Sequence, residues 1–291
     1  MIVSVIMLMA LVVSFFFVRK HVIDLVLTKK IIVKIIALIT VYIVILFFVF
    51  KVPYVASFSI VVALGAAIVI LVMSAKSSSY KKVILASVFF AISILYWGLF
   101  FQIFISLLLF TEYAVSNTLL NSSQLLSAES LGVLIFGFII GKLWLCLSNN
   151  GNEIKDIDKF NISFIIMAIS FAVMAFSIIL TPELSKVVIY GFIAAYLILS
   201  ISELCLSAIG LSLITKIAPK GYVSLYMGIW LVTLGIGDKL GGYLASFIYI
   251  PENDVTLAKI NMLNGLYLFI GISIFISFLL ILIRKIINKN I

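Results

Sequence analysis

Charge is what this chain has least of. Of its 291 residues only 11% are Asp, Glu, Lys or Arg, while 65% are hydrophobic. Soluble domains average about 25% charged residues. A water-soluble globule of this size could not hide the apolar remainder, which excludes soluble enzymes. The net charge of +9 does not make a nucleic-acid binder, because a basic patch needs a solvated face. Histidine is as scarce: the single one, His21, lies in a basic loop. There is no His, Cys and carboxylate cluster at metal-ligand spacing and no glycine-rich phosphate loop. Nor is there a paired-carboxylate motif of the kind that holds metal for lipid-phosphate chemistry. These absences argue against a membrane enzyme and give no reason to expect a metal or a cofactor. The two cysteines, Cys146 and Cys205, both lie in apolar runs, where they read as small buried fillers rather than a disulfide.

What the chain does have is long apolar runs. Nine stand out: 2–18, 31–50, 55–73, 83–110, 131–147, 162–180, 187–214, 222–250 and 265–283. None alternates polar with apolar as a membrane β-barrel strand does. A spanning helix needs about 20 apolar residues, so the expected fold is an all-α integral membrane protein of about nine transmembrane helices. The longest runs exceed one crossing and must tilt, kink or project. Basic residues cluster in alternate loops: Arg19, Lys20, Lys29 and Lys30; Lys76, Lys81 and Lys82; Lys155 and Lys159; Lys216 and Lys220; Arg284, Lys285 and Lys289. Lys and Arg concentrate on the cytoplasmic side, which predicts an inner-membrane protein with its C-terminus inside and its N-terminus outside. Met1 leads directly into apolar residues with no positive region before them, unlike a signal peptide. An odd number of spans starting outside reads as a chain that begins partway through a larger design.

Few ionisable residues fall inside the runs. Glu203 is flanked by Ser200 and Ser207 at i−3 and i+4, which places all three on one helical face. A carboxyl at bilayer depth reads as a functional group by default. It is either a binding or proton-carrying carboxylate, or a protonated carboxyl hydrogen-bonded to a neighbouring helix. Asp238 and Lys239 sit among Gly235, Gly237, Gly241 and Gly242. Glycines at such spacing allow close helix approach, and the favoured reading is an inter-helix polar clamp beside a packing face. Lys34 and Lys142 lie near cytoplasmic ends and should snorkel. Tyr96, Trp97, Gln102 and Ser106 interrupt an otherwise apolar run, and Trp230 is similarly deep. Each of these deep aromatics fits either core packing or a pocket wall.

The stretch from Ser202 through Glu203, Leu204, Ser207, Gly210, Leu211 and Ser212 to Lys216, Ala218 and Pro219 resembles "G-E-L-x-x-S-P-x-G-L-S-x-x-x-K-L-A-P". That is a signature of the proton-dependent oligopeptide transporter (POT/PTR) family of the major facilitator superfamily. Met227, Gly228 and Trp230, then Gly237, Asp238, Gly241 and Gly242, are similar to the family's eleventh-helix "M-G-x-W" and "G-N-x-x-G-G". Tyr96, Trp97, Gln102, Ser106, Leu107, Leu109 and Phe110 resemble the seventh-helix "F-W-x-x-x-E-Q-x-x-x-S-L-x-L-F". Lys159–Phe160 matches the "K-F" that opens the ninth helix.

That register implies the second half of a major facilitator fold: the last helix of the first bundle at 1–18, a two-helix insert and linker at 19–82, and a six-helix bundle at 83–291. Helices one to five, with the family's "E-x-x-E-R-F-x-Y-Y", have no counterpart here. The resemblance implies that Glu203 engages the amino end of a peptide and takes part in proton coupling. It makes Ser207, Trp97, Trp230, Tyr96, Gln102 and Ser106 candidate substrate contacts. The implied activity is proton-coupled uptake of di- and tripeptides by a truncated or split transporter. The proton gradient, rather than a cofactor, would drive it. The expected partners are the lipid bilayer, small peptides, and a separately encoded N-terminal half or a second copy, with no nucleic acid. The alternative is a degenerate or structural membrane protein without transport activity. Departures from the pattern bear on both: Phe101 stands at the seventh-helix glutamate, and the eighth-helix "Q-x-x-N-P" reads Gln124-Leu-Leu-Ser-Ala128.

Overall fold

A computed structural model of the chain describes residues 53–77, 80–116 and 120–290. The chain divides into two compact units, Met1–Val61 and Val62–Ile291. The second holds nearly all the described residues. The first two apolar runs, the segment 1–18, and Lys34 lie outside the described residues.

The described residues form eight α-helices in order: α1 (Pro53–Ser77), α2 (Tyr80–Phe100), α3 (Ser106–Ala114), α4 (Ser122–Asn149), α5 (Asp156–Ile179), α6 (Ile189–Ile217), α7 (Val223–Ala245) and α8 (Val255–Asn290). No strand is formed among the described residues, only one isolated bridge between Val115 and Val187. Helix is the outcome that hydrocarbon dictates, because every backbone N–H and C=O must be satisfied within its own segment. Among the described residues six spans are long and apolar enough to cross a membrane: Tyr80–Ala114, Ser122–Asn149, Asp156–Ile179, Ile189–Ile217, Val223–Ala245 and Val255–Arg284.

The 83–110 run resolves its excess length by breaking. α2 passes into a 3-10 turn at Phe101–Phe104 and restarts as α3, with Ile105 at φ −119° and ψ −93°. Proline is not the cause. The Gln102 amide nitrogen donates to the Gly98 carbonyl at 3.0 Å and to the Gly241 carbonyl of α7 at 2.9 Å. A side chain inserted into the helical ladder is a recognised source of a kink. The start of α4 is fixed by a capping box: Asn121 accepts from the Gln124 backbone at 2.8 Å, and Gln124 accepts from Asn121 at 3.1 Å. This helix therefore starts nine residues before its apolar run.

Packing pairs α5 with both α6 and α8, α2 with α7, and α4 with α6. The α2–α7 seam uses the expected glycines, but only two of the four. A Cβ at Gly237 would run into Trp97, and one at Gly241 would lie 3.1 Å from the Gly98 carbonyl. Gly235 and Gly242 face open space. The polar clamp expected from Asp238 and Lys239 is not formed among the described residues: both are exposed and neither joins an ion pair. Helical geometry explains this, since they are rotated about 100° and 200° from Gly237. Lys142 is exposed with its ammonium 4.4 Å from the Phe138 ring centre. Both cysteines are free, Cys146 exposed and Cys205 buried.

Three ion pairs gather at one end of the bundle. Asp156 in the first turn of α5 meets Lys159 at 3.5 Å and Lys216 of α6 at 3.3 Å, and Asp158 meets Arg284 of α8 at 3.1 Å. Two acids in the first turn also suit the positive end of the α5 dipole. The opposite end is held differently. Lys259, only 5% exposed, donates to the carbonyls of Thr181, Pro182, Glu183 and Ser185 at 3.5, 2.6, 3.0 and 3.0 Å. A desolvated ammonium wrapped by carbonyl dipoles pins the α5–α6 loop to α8.

Candidate functional site

The polar face of α6 changes character along its length. Ser200 is fully buried, donates to the Leu197 carbonyl at 2.7 Å, and sits where a Cβ at Gly132 of α4 would collide with it. One turn on, Glu203 is half-buried, as is Ser207 a further turn along. Ser202, buried beside them, donates to the Ser163 carbonyl of α5 at 2.7 Å and is 2.8 Å from the Tyr96 hydroxyl. With the Ser202 proton committed to that carbonyl, Tyr96 is the donor to Ser202. The relay binds α2, α6 and α5 together directly behind Glu203.

Tyr96, Trp97, Gln102, Ser106 and Trp230 are all buried. Gln102 uses its nitrogen on the two backbone carbonyls described above, and its oxygen accepts from Ser106 at 2.7 Å. Both side chains are thus engaged in holding the α2–α3 break against α7. Trp97 stacks on Phe101, with centroids 5.6 Å apart at 29°. Its indole N–H has no partner among the described residues. Trp230 closes against Gly210 of α6, where any Cβ would enter the indole ring, and meets Phe160 edge-on at 6.2 Å. Of the predicted residues, Glu203 and Ser207 are the two left with partial access, and the aromatics are packed into the core.

One residue escaped the sequence reading. Glu129 of α4 is 7% exposed, a carboxyl almost closed off from the surface on the helix that packs against α6. Ser130 donates to Glu129 at 3.2 Å. The available signal was spacing: Glu129 lies three residues before Gly132 and directly after the Gln124–Ala128 stretch, but it falls just outside the apolar run.

A protein-family model, "PTR2: POT family", matches residues 1–263. Dipeptide and tripeptide permease A of Escherichia coli (strain K12) is 22% identical over 224 residues, covering 75% of this chain and 43% of the permease. The uncharacterized transporter YclF of Bacillus subtilis (strain 168) is 31% identical over 149 residues, 50% of this chain and 30% of that protein. The chain spans less than half the length of these curated relatives. Among solved structures, a peptide transporter POT in complex with sulfate matches with a TM-score of 0.70 at 20% identity, covering 95% of this chain and 59% of that one. Tetrameric PepTSo2 matches with a TM-score of 0.73 at 18% identity, covering 91% and 56%. These likenesses establish the fold.

Proposed function

Because the chain belongs to the POT family, a multi-pass membrane family of transporters, we propose that it contributes the C-terminal half of a proton-coupled transporter of di- and tripeptides. On this reading residues 83–291 are one six-helix bundle, 19–82 the insert and linker, and 1–18 a helix of the other bundle. The C-terminus faces the cytoplasm of an inner membrane. The clustering of Lys and Arg in alternate loops supports that orientation.

The observation that carries the proposal is Glu203: a carboxyl at mid-helix in an apolar span, half-buried, with Ser207 one turn away. A peptide's ammonium group is the natural partner for such a carboxylate, since charge-assisted hydrogen bonds strengthen away from water. Ser207 would add an acceptor on the same wall. Trp97 and Trp230 shape the wall from behind, while Tyr96, Gln102 and Ser106 keep its helices in register. The opposite wall, with a cationic group for the peptide carboxylate, would come from the family's first bundle, on a longer chain or a separate one. Rocking of one bundle against the other would then expose the cavity alternately.

The test is accumulation of a labelled dipeptide by cells expressing this chain alone and together with the first half of a relative. Uptake with the pair, driven by an inward proton gradient, is expected. Glu203→Gln should lower it about 100-fold, the scale of losing one desolvated charge contact. Absence of uptake in both settings would overturn the reading in favour of a membrane protein without transport activity.

A further inference from the structure

The ion-paired end of the bundle also holds a cavity of about 490 Å³, within the size range of pockets that take small organic ligands. Four membrane spans reach it near their ends. Leu85 and Phe89 lie about 7 to 14 Å inside the start of α2. Ile157 belongs to the first turn of α5, and Leu213 stands about one turn before the end of α6. Arg284 closes the α8 span. The cavity therefore sits where the hydrocarbon layer gives way to water, and its wall is graded to match. Phe89, Ile157 and Leu213 form a buried apolar floor, while Glu153, Lys155 and Arg284 are exposed at the mouth.

The charges at this mouth are not all spent within the chain. Asp156 is matched by Lys159 and Lys216. Arg284 gives its Nε to Asp158 at 3.1 Å, and its two terminal nitrogens join no further ion pair among the described residues. Glu153 joins none at all among them. One rim thus keeps a cationic edge and a carboxylate. A simple anion would be repelled by Glu153, and a simple cation by Arg284 and Lys155. A head group carrying both signs satisfies the rim. A guanidinium edge suits a phosphate with two parallel bonds, and a carboxylate accepts the N–H bonds that a primary ammonium donates.

We propose that this cavity is a phospholipid site selective for a phosphoethanolamine head group. Arg284 and Lys155 take the phosphate, Glu153 takes the ammonium, and the first part of one acyl chain covers Phe89, Ile157 and Leu213. The rest of the lipid stays in the bilayer. The site is independent of the transport reading, since only span ends and rim charges define it. α2 packs chiefly on α7, whereas α5 packs on α6 and α8, so a lipid held here bridges two packing groups.

The test is to reconstitute the full chain in vesicles of equal phosphatidylethanolamine, phosphatidylcholine and phosphatidylglycerol, and to identify the lipid it retains by native mass spectrometry. One retained phosphatidylethanolamine is expected, favoured about tenfold over either competitor, the scale of one charge-assisted hydrogen bond. Glu153→Gln should erase the preference over phosphatidylcholine, whose ammonium has no N–H, and should leave the thermal midpoint in detergent unchanged. Arg284→Gln should lower retention of all three lipids, and Arg284→Lys should restore part of it. A preference for phosphatidylglycerol would make this an anion site and overturn the assignment. Equal retention of all three lipids, or a preference that survives in Glu153→Gln, would reduce the occupant to ordinary bilayer lipid and overturn it too. Free phosphoethanolamine binding as tightly as the lipid would show that the apolar floor contributes nothing, with the same result.

Discussion

Two seams of this bundle are built on opposite principles. At the α2–α7 seam polar side chains close the gap: Gly98, Gly237 and Gly241 bring the backbones together, and Gln102 bonds to the Gly98 and Gly241 carbonyls. Thr233 of α7 completes it, 2.8 Å from Ser93 and donating to the Trp230 carbonyl at 2.6 Å. At the α4–α6 seam a glycine also allows close approach, at Gly132 against Ser200. One turn further along α6, Glu203 keeps partial access. The first seam is closed by polar bonds that cross it, whereas the second leaves a carboxyl within reach.

The difference can be attacked from the rigid side. The largest effect is expected for Gly237→Val, whose side chain must displace Trp97 against a neighbouring backbone. Overpacking of this kind costs about 1–3 kcal/mol or more, and the midpoint of thermal unfolding in detergent should fall accordingly. An unchanged midpoint would mean the α2–α7 seam is softer than its contacts imply. Next is Gln102→Leu, which leaves the Gly241 carbonyl without its side-chain donor; about 1–2 kcal/mol should be lost. The same variant should also make the Phe101–Ile105 break more helical, which amide hydrogen exchange across those residues would detect as slower exchange. The smallest effect is expected for Arg284→Gln, which removes a partly exposed ion pair with Asp158. Such pairs contribute about 0–1 kcal/mol, and the difference from wild type should vanish in high salt.

Much of the fold was legible in the residues because lipid imposes one rule on every segment. The six described spans coincide with six of the apolar runs, and the glycines at 237 and 241 do form a packing face. What escaped has physical reasons. The break after Phe100 carries no proline or glycine mark, since it follows from where the Gln102 amide finds carbonyls across the seam. The early start of α4 lies in a polar capping box, which hydropathy reads as loop. Asp156 and Asp158 were overlooked beside the more numerous lysines, although they choose which helices those lysines and Arg284 tie together. In the candidate site, Glu203 stood out because apolar residues flank it. Glu129, close to the polar flank of its run, did not, and only folding buries it.

α4 rests chiefly on α6, and much of the rest of its surface, including Leu134, Phe138 and Leu145, faces outward. A rod clamped along one edge behaves as a lever: a small change in grip at one point is magnified at its far end. The Gly132–Ser200 contact sits in that clamp, about three turns past the Asn121 cap, with some twenty-five ångströms of helix beyond it. A change of packing that widens the seam there would swing the outer end of the rod, turning a local displacement into a mechanical stroke.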